Sequence, residues 1–300
     1  MKRIVIFTVI CLVCMMTAAL AAPAPVENVV IGDRSLLDTQ SFTGFNINLD
    51  EFFASHPLLP SAASRADVVF TSPRCQVVLV TNHGPLIGLH HHASAEETVY
   101  VYKGAGEMYI DGKWVPVKAG DLHVNPRGVI HGTRVVGDQN MEVVSIFTPP
   151  QANGNDKIMY DASVEGTVVG DTKLLDTPYS KGVLINAGEF FDSHPLAKGA
   201  AARSDKIFES SRIFVNLATN HGPLIGRHYH KSAKEINIVY QGTGEIFVDG
   251  KWTPSKAGDL HINPRGIIHG TRVVGDQNMK VIGFFTPPQA NGNDKVMIDK

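Results

Sequence analysis

Short apolar runs, broken at frequent intervals by glycine, proline and aspartate, set the pattern of this chain. Val77–Thr81, Thr98–Tyr102, Gly106–Ile110, Asp121–Asn125 and Met141–Phe147 are rich in Val, Ile, Tyr and Phe, which predicts β-strands. Asp111-Gly112 and Asp249-Gly250, each followed by Lys-Trp, are tight-turn dipeptides. Many short strands with regular turns predict an all-β sandwich or barrel. Minor helical segments are expected only at Leu49–Ser55 and Ala187–Ser193, each ended by His-Pro, because the residue before proline is pushed out of the helical region. His56 and His194 are thereby helix-end residues.

The pattern occurs twice. His90, Glu97 and His131 return as His228, Glu235 and His269, a spacing of 228 − 90 = 138 residues without insertion or deletion. Between 119–159 and 257–297 only Val124, Val129, Glu142, Val144, Ser145, Ile146 and Ile158 differ from their counterparts. Most of these are volume-conserving apolar exchanges, as packed barrels tolerate. The repeat begins near Gly32-Asp33 and Leu36-Leu37-Asp38-Thr39, which return as Gly170-Asp171 and Leu174-Leu175-Asp176-Thr177. A period this long means duplicated domains and not a solenoid. The expected organisation is a signal peptide at 1–21, a first domain at 22–160 and a second at 161–300.

Lys2 and Arg3 precede an apolar run from Ile4 to about Met16, and Ala19-Leu20-Ala21 follows as a cleavage site. This is the form of a secretory signal peptide, too short for a membrane span; neither Cys11 nor Cys14 sits in a lipid-attachment motif. Cleavage after Ala21 would take the formal charge from 27 − 29 = −2 to 25 − 29 = −4. So mild a balance does not imply nucleic-acid or membrane partners, and neither is expected. Only Cys75 then remains, opposite Ile213 in the second copy, so the exported chain has no internal disulfide and Cys75 is expected in the core. The expected location is periplasmic or secreted, and a homo-oligomer is compatible with the sequence.

The candidate chemistry lies in His90, His92, Glu97 and His131, matched by His228, His230, Glu235 and His269. Residues i and i+2 of a strand project from one face, so His90 and His92 can point two imidazoles at one ion. Glu97 follows a short polar turn, from which a hairpin would return it to the same face. His131 follows the Pro126-Arg127-Gly128 turn and can enter from a later strand. Three imidazoles and a carboxylate suit Mn, Fe, Zn, Ni or Co. An oxygen ligand and no cysteine argue against a closed structural zinc site.

These residues fit Gly-x5-His-x-His-x4-Glu-x6-Gly, from Gly84 to Gly104 and from Gly222 to Gly242. They are followed by Gly-x5-Pro-x-Gly-x2-His, from Gly120 to His131 and from Gly258 to His269. In both, the chain resembles the bicupins of the cupin superfamily, although the asparagine that closes the family's second motif is Val135 and Val273 here. The resemblance implies two tandem cupin barrels (double-stranded β-helices, or jelly rolls), each with one divalent transition metal near its centre, Mn or Fe by preference.

Other residues could serve a substrate. His91 and Tyr229 alternate away from the ligand face, towards solvent or an outer sheet, and His83 and His221 precede glycine in a loop. His123 and His261 lie on the strand feeding the third histidine and could orient a ligand, donate to a substrate or occupy a packed sheet position. Arg134 and Arg272 could pair with a substrate carboxylate or lie in surface ion pairs; Arg127 and Arg265 are expected to be solvated. If Glu97 faces inward so does Val99, whose counterpart is Asn237. The second site is therefore expected to be the active one, with Asn237, His261 and Arg272 as candidate catalytic residues. The resemblance implies a dioxygenase or decarboxylase acting on a small carboxylate or enolic substrate. The arginine that oxalate decarboxylases carry before the first ligand histidine is Ile87 and Ile225 here. The alternatives are a non-catalytic cupin holding a metal or small ligand, and a metal-dependent lyase or isomerase.

Overall fold

The computed structural model describes residues 29–40, 43–84, 87–179, 181–222 and 225–299; the expected signal peptide lies outside them. No described helix is long and apolar enough to cross a membrane. The expected strands appear as Gln76–Asn82, Glu96–Lys103, Ala105–Ile110, Asp121–Asn125 and Met141–Thr148, and both expected helices are present. Asn48 and Asn186 start those helices by accepting the backbone N–H of Glu51 and Glu189. His56 and His194 end them, each ring stacked on the phenylalanine four residues earlier.

The described strands form two sheets of six and two of five, all paired antiparallel. In the first barrel Val183–Asn186, Asp121–Asn125, Glu96–Lys103, Met141–Thr148, Gln76–Asn82 and Ser64–Thr71 lie side by side in the larger sheet. Lys157–Met159, Ile87–His92, His131–Val135, Ala105–Ile110 and Lys113–Lys118 form the smaller one. The second barrel repeats this order with Phe45–Asn48 as its outermost strand.

Those outermost strands are exchanged. Val183–Asn186 pairs with Asp121–Asn125 of the first copy, while Phe45–Asn48 pairs with Asp259–Asn263 of the second. The crossing is tied by side chains: Asn186 donates to Asp121 Oδ1 at 2.7 Å and Asn48 to Asp259 Oδ1 at 2.8 Å. Arg127 and Arg265 are not solvated turn residues. Each donates to a carbonyl of the incoming segment, Leu174 O at 2.9 Å and Leu36 O at 2.7 Å. Gly128, at φ +80°, is required here, because a Cβ would sit 2.6 Å from the carbonyl oxygen of Asp171.

The larger sheets are buried on both faces, which is why their central strands read as unbroken apolar runs. Val77 and Leu79 face a core shared by both halves, with Tyr100, Phe208, Leu217, Ile236 and Phe284. Alternate residues face the barrel interior, where Val99, Val101, Met108, Met141 and Val143 pack together in the first barrel. The corresponding cluster in the second is reduced to Val239, Val273, Met279 and Val281. Cys75 is buried in the shared core.

Candidate metal centres

Each four-residue set converges. One ligand atom from each of His90, His92, Glu97 and His131 lies within 4.8 Å of the others, and the same holds for His228, His230, Glu235 and His269. The route differs from the expected hairpin. Ile87–His92 and Glu96–Lys103 belong to different sheets, so the histidines come from the smaller sheet and the glutamate reaches across from the larger. His131 lies directly opposite His90 in the register, and His269 opposite His228.

Hydrogen bonds fix which nitrogen faces inward. His90 Nδ1 bonds to Gly88 O at 2.7 Å and His131 Nδ1 to Val129 O at 2.9 Å. A carbonyl only accepts, so Nδ1 carries the proton and Nε2 presents a lone pair. The Nε2 atoms of His90, His92, His131 and His228 are buried without a hydrogen-bond partner. In the second set His269 Nε2 lies 2.9 Å from Glu235 Oε2, and burial together with the charge of His228 pushes its pKa down to about 4. A neutral imidazole lone pair facing a carboxylate at that distance is repulsive unless a cation lies between them. The donor set therefore fits a borderline divalent ion.

His92 and His230 are held from behind by Asp156 and Asp294. Asp156 Oδ1 bonds His92 Nδ1 at 2.6 Å, while its Oδ2 accepts Ser94 N at 2.8 Å, Ser94 Oγ and Ala95 N. Burial would raise this carboxyl, but the donors outweigh it and hold it well below the usual carboxylate range. Nothing in the sequence reading singled out these aspartates. The available signal was the segment Gln-Ala-Asn-Gly-Asn-Asp, identical at 151–156 and 289–294. Lys157 and Lys295 were missed too. They sit opposite His92 and His230 in the register, line the cavities beside Glu97 and Glu235, and have no ion-pair partner among the described residues.

The two cavities differ. The one opening on Glu97 is about 150 Å³ and is lined by Val78, Val80, Val99 and Ser145; the one opening on Glu235 is about 440 Å³, with Asn216, Ala218, Asn237 and Gly283 in those places. Asn237 faces inward as expected, yet its Nδ2 donates to Glu235 Oε1 at 2.6 Å, holding a ligand residue and not a substrate atom. In the first barrel Asn125 Nδ2 plays that part, 3.3 Å from Glu97 Oε2.

His261 is buried and kept neutral by desolvation, with Nε2 2.9 Å from Ser255 Oγ, and it is not among the cavity-lining residues. Arg272 is corrected: it points outward, bonding Glu245 Oε2 at 2.5 Å and lying over the Trp252 ring, as Arg134 does with Glu107 and Trp114. His91 faces away from the site but is buried, bonded to Tyr160 Oη at 2.7 Å, and not solvated. His83 bonds Asn140 at 2.9 Å and His221 lies 3.5 Å from Asp276, both away from the site.

A cupin-domain family model matches residues 77–147 and again 217–285. An oxalate-binding protein of Thermotoga maritima is 33% identical over 64 residues, which cover 21% of this chain and 53% of that protein; the chain thus spans about half the length of this relative. The fold is similar to that of salicylate 1,2-dioxygenase from Pseudoaminobacter salicylatoxidans, solved with gentisate (TM-score 0.62, 13% identity, 83% of each chain covered). It is also similar to oxalate decarboxylase from Bacillus subtilis (TM-score 0.51, 16% identity, 78% of this chain and 74% of that one).

Proposed function

The chain belongs to the cupins, with two cupin domains in one polypeptide, and from that premise we propose that it is an exported metal-dependent enzyme acting on a small carboxylate or enolic substrate. The reaction is of the dioxygenase or decarboxylase type and the second barrel is the active one. The observation that carries this is the convergence of a ligand atom from each of His228, His230, His269 and Glu235 on one point beside a cavity of about 440 Å³, within the size range of small-molecule sites, about 300–1,000 Å³. The first cavity, about 150 Å³, falls below that range, so its metal set is mainly structural.

His228, His230, Glu235 and His269 would hold manganese or iron, which supplies Lewis acidity and redox capacity when bound. The chain's own contribution is positional. Asp294 keeps the His230 lone pair turned inward, Asn237 restrains Glu235, and Phe285 and Val281 give the cavity apolar lining. Oxalate is disfavoured as substrate by Ile87 and Ile225 and by the size of the second cavity. Elemental analysis of the native protein, with oxygen-uptake and carbon-dioxide assays on carboxylates and enols, tests the reading. His230→Ala should abolish turnover while His92→Ala largely spares it; equal losses would refute the assignment to the second barrel. Export predicts a mature terminus at Ala22, checked by intact mass. The printed name of the Thermotoga relative favours one other reading, a non-catalytic binding cupin, which bound metal without turnover on any carboxylate, enol or flavonol would establish.

A further inference from the structure

Cross-strand neighbours share a face of a sheet, so one row can be followed across each barrel wall. In the first barrel the row runs Leu184, His123, Val99, Ser145, Val78. In the second it runs Asn46, His261, Asn237, Gly283, Asn216. Three apolar side chains have become three asparagines, and Ser204 stands where Ala66 stood.

The exchange is coordinated. A Cβ at Gly283 would lie 2.2 Å from Asn216 Oδ1 and 3.2 Å from Asn237 Oδ1, so the glycine makes room for both amides. Asn216 Nδ2 donates to Ser204 Oγ at 2.7 Å. Its Oδ1 is buried with no hydrogen-bond partner, and the residue as a whole is 9% exposed. A buried acceptor left unmatched is costly, and a ligand hydroxyl seated in this wall would remove that cost. Charge adds a second constraint. Of the charged groups around this cavity, Arg203 is engaged bidentately by Asp205 and Glu235 belongs to the ligand set. Lys295, opposite His230 in the register, has no ion-pair partner among the described residues.

We propose that the second cavity selects a small hydroxylated carboxylate, with the Lys295 ammonium pairing with the carboxylate and the Ser204–Asn216 wall hydrogen-bonding the hydroxyl, and that the first cavity excludes it. This rests on reading the second cavity as the substrate site. Size agrees: at about 30 Å³ of liquid volume per water, the second cavity has room for roughly fifteen waters and the first for about five.

The test is calorimetric titration of the purified native protein with 2,3-dihydroxypropanoate and with propanoate, which share a carboxylate and chain length but not hydroxyls. One equivalent of the dihydroxy acid should bind per chain, about tenfold more tightly than propanoate, the size expected for a buried hydrogen bond. The combined Ser204→Ala, Asn216→Val and Gly283→Ser variant carries the first barrel's side chains at Val78 and Ser145 and loses the hydroxyl at 204. It should lose that margin while still binding propanoate, and an unchanged thermal midpoint and metal content would show it folded. Lys295→Met should weaken both acids about tenfold. Equal affinity for the two acids, two equivalents per chain, a margin that survives the wall substitutions, or no binding of either acid overturns the inference. Selective binding without turnover of any substrate would leave it standing and remove the enzymatic reading; turnover without selectivity would do the reverse.

Discussion

Replacing Asp294 by asparagine should disable the second metal site through a proton. The carboxylate takes four donors: His230 Nδ1 at 2.5 Å on one oxygen, and Ser232 N at 2.7 Å, Ser232 Oγ at 2.5 Å and Ala233 N at 2.9 Å on the other. An asparagine can keep its oxygen towards the three donors of the Ser232 turn only by turning its own NH2 to His230. The imidazole must then accept at Nδ1, which puts its proton on Nε2, where the lone pair should face Glu235. The opposite amide rotamer sets an NH2 against three donors and is worse. Restoring the ligating tautomer leaves a buried N–H unmatched, at about 1–3 kcal/mol, or tenfold to a hundredfold in affinity at 1.4 kcal/mol per decade. Losses of that order follow when such outer partners of metal ligands are changed. Competition against a chromogenic chelator should report one site unchanged and one weakened by that factor, with Asp156→Asn giving the mirror-image result at the first site. Two sites of unchanged affinity in Asp294→Asn would refute the tautomer argument.

Further expectations concern groups away from the ligands' inward faces. Glu96 is fully buried, with Oε1 accepting from Ser210 Oγ at 2.8 Å, and burial pushes its pKa up to about 7 from 4.5. Its folded pKa lies above its unfolded one, so the stability it confers is present below about pH 4.5 and lost as pH rises through 7. Glu96→Gln should therefore gain on the wild type between pH 4 and 8, by on the order of 3 kcal/mol; parallel denaturation curves across that range would contradict this. Burial also drives the Cys75 thiol up to about 11, so iodoacetamide should modify it only after unfolding, as intact-mass spectrometry can follow.

The legible parts of the chain are those whose role is decided within a few residues. Val77–Thr81 and Met141–Phe147 announce themselves because both faces of those strands are packed. Ile87–His92 carries no such apolar run, because three of its four buried side chains are imidazoles and only Leu89 is aliphatic. His90 and His92 could be read from strand geometry alone. Asp156 lies 64 residues beyond His92, and only the pairing of Lys157–Met159 with Ile87–His92 brings it and Lys157 to the site. Which of its two expected roles Arg272 takes was not legible, because its direction depends on Glu245 and Trp252, its neighbours on strands unrelated to the motif.

The traded edge strands have a bearing on how such a chain could have arisen. Phe45–Asn48 and Val183–Asn186 are the same piece of the repeat, each lent to the other barrel. Two separate copies lending each other their leading arms would make a closed, two-fold pair with identical contacts, and joining tail to head turns that pair into this molecule. Severing it near residue 160 should accordingly yield fragments that seek each other out, since neither holds the ribbon that finishes its own wall.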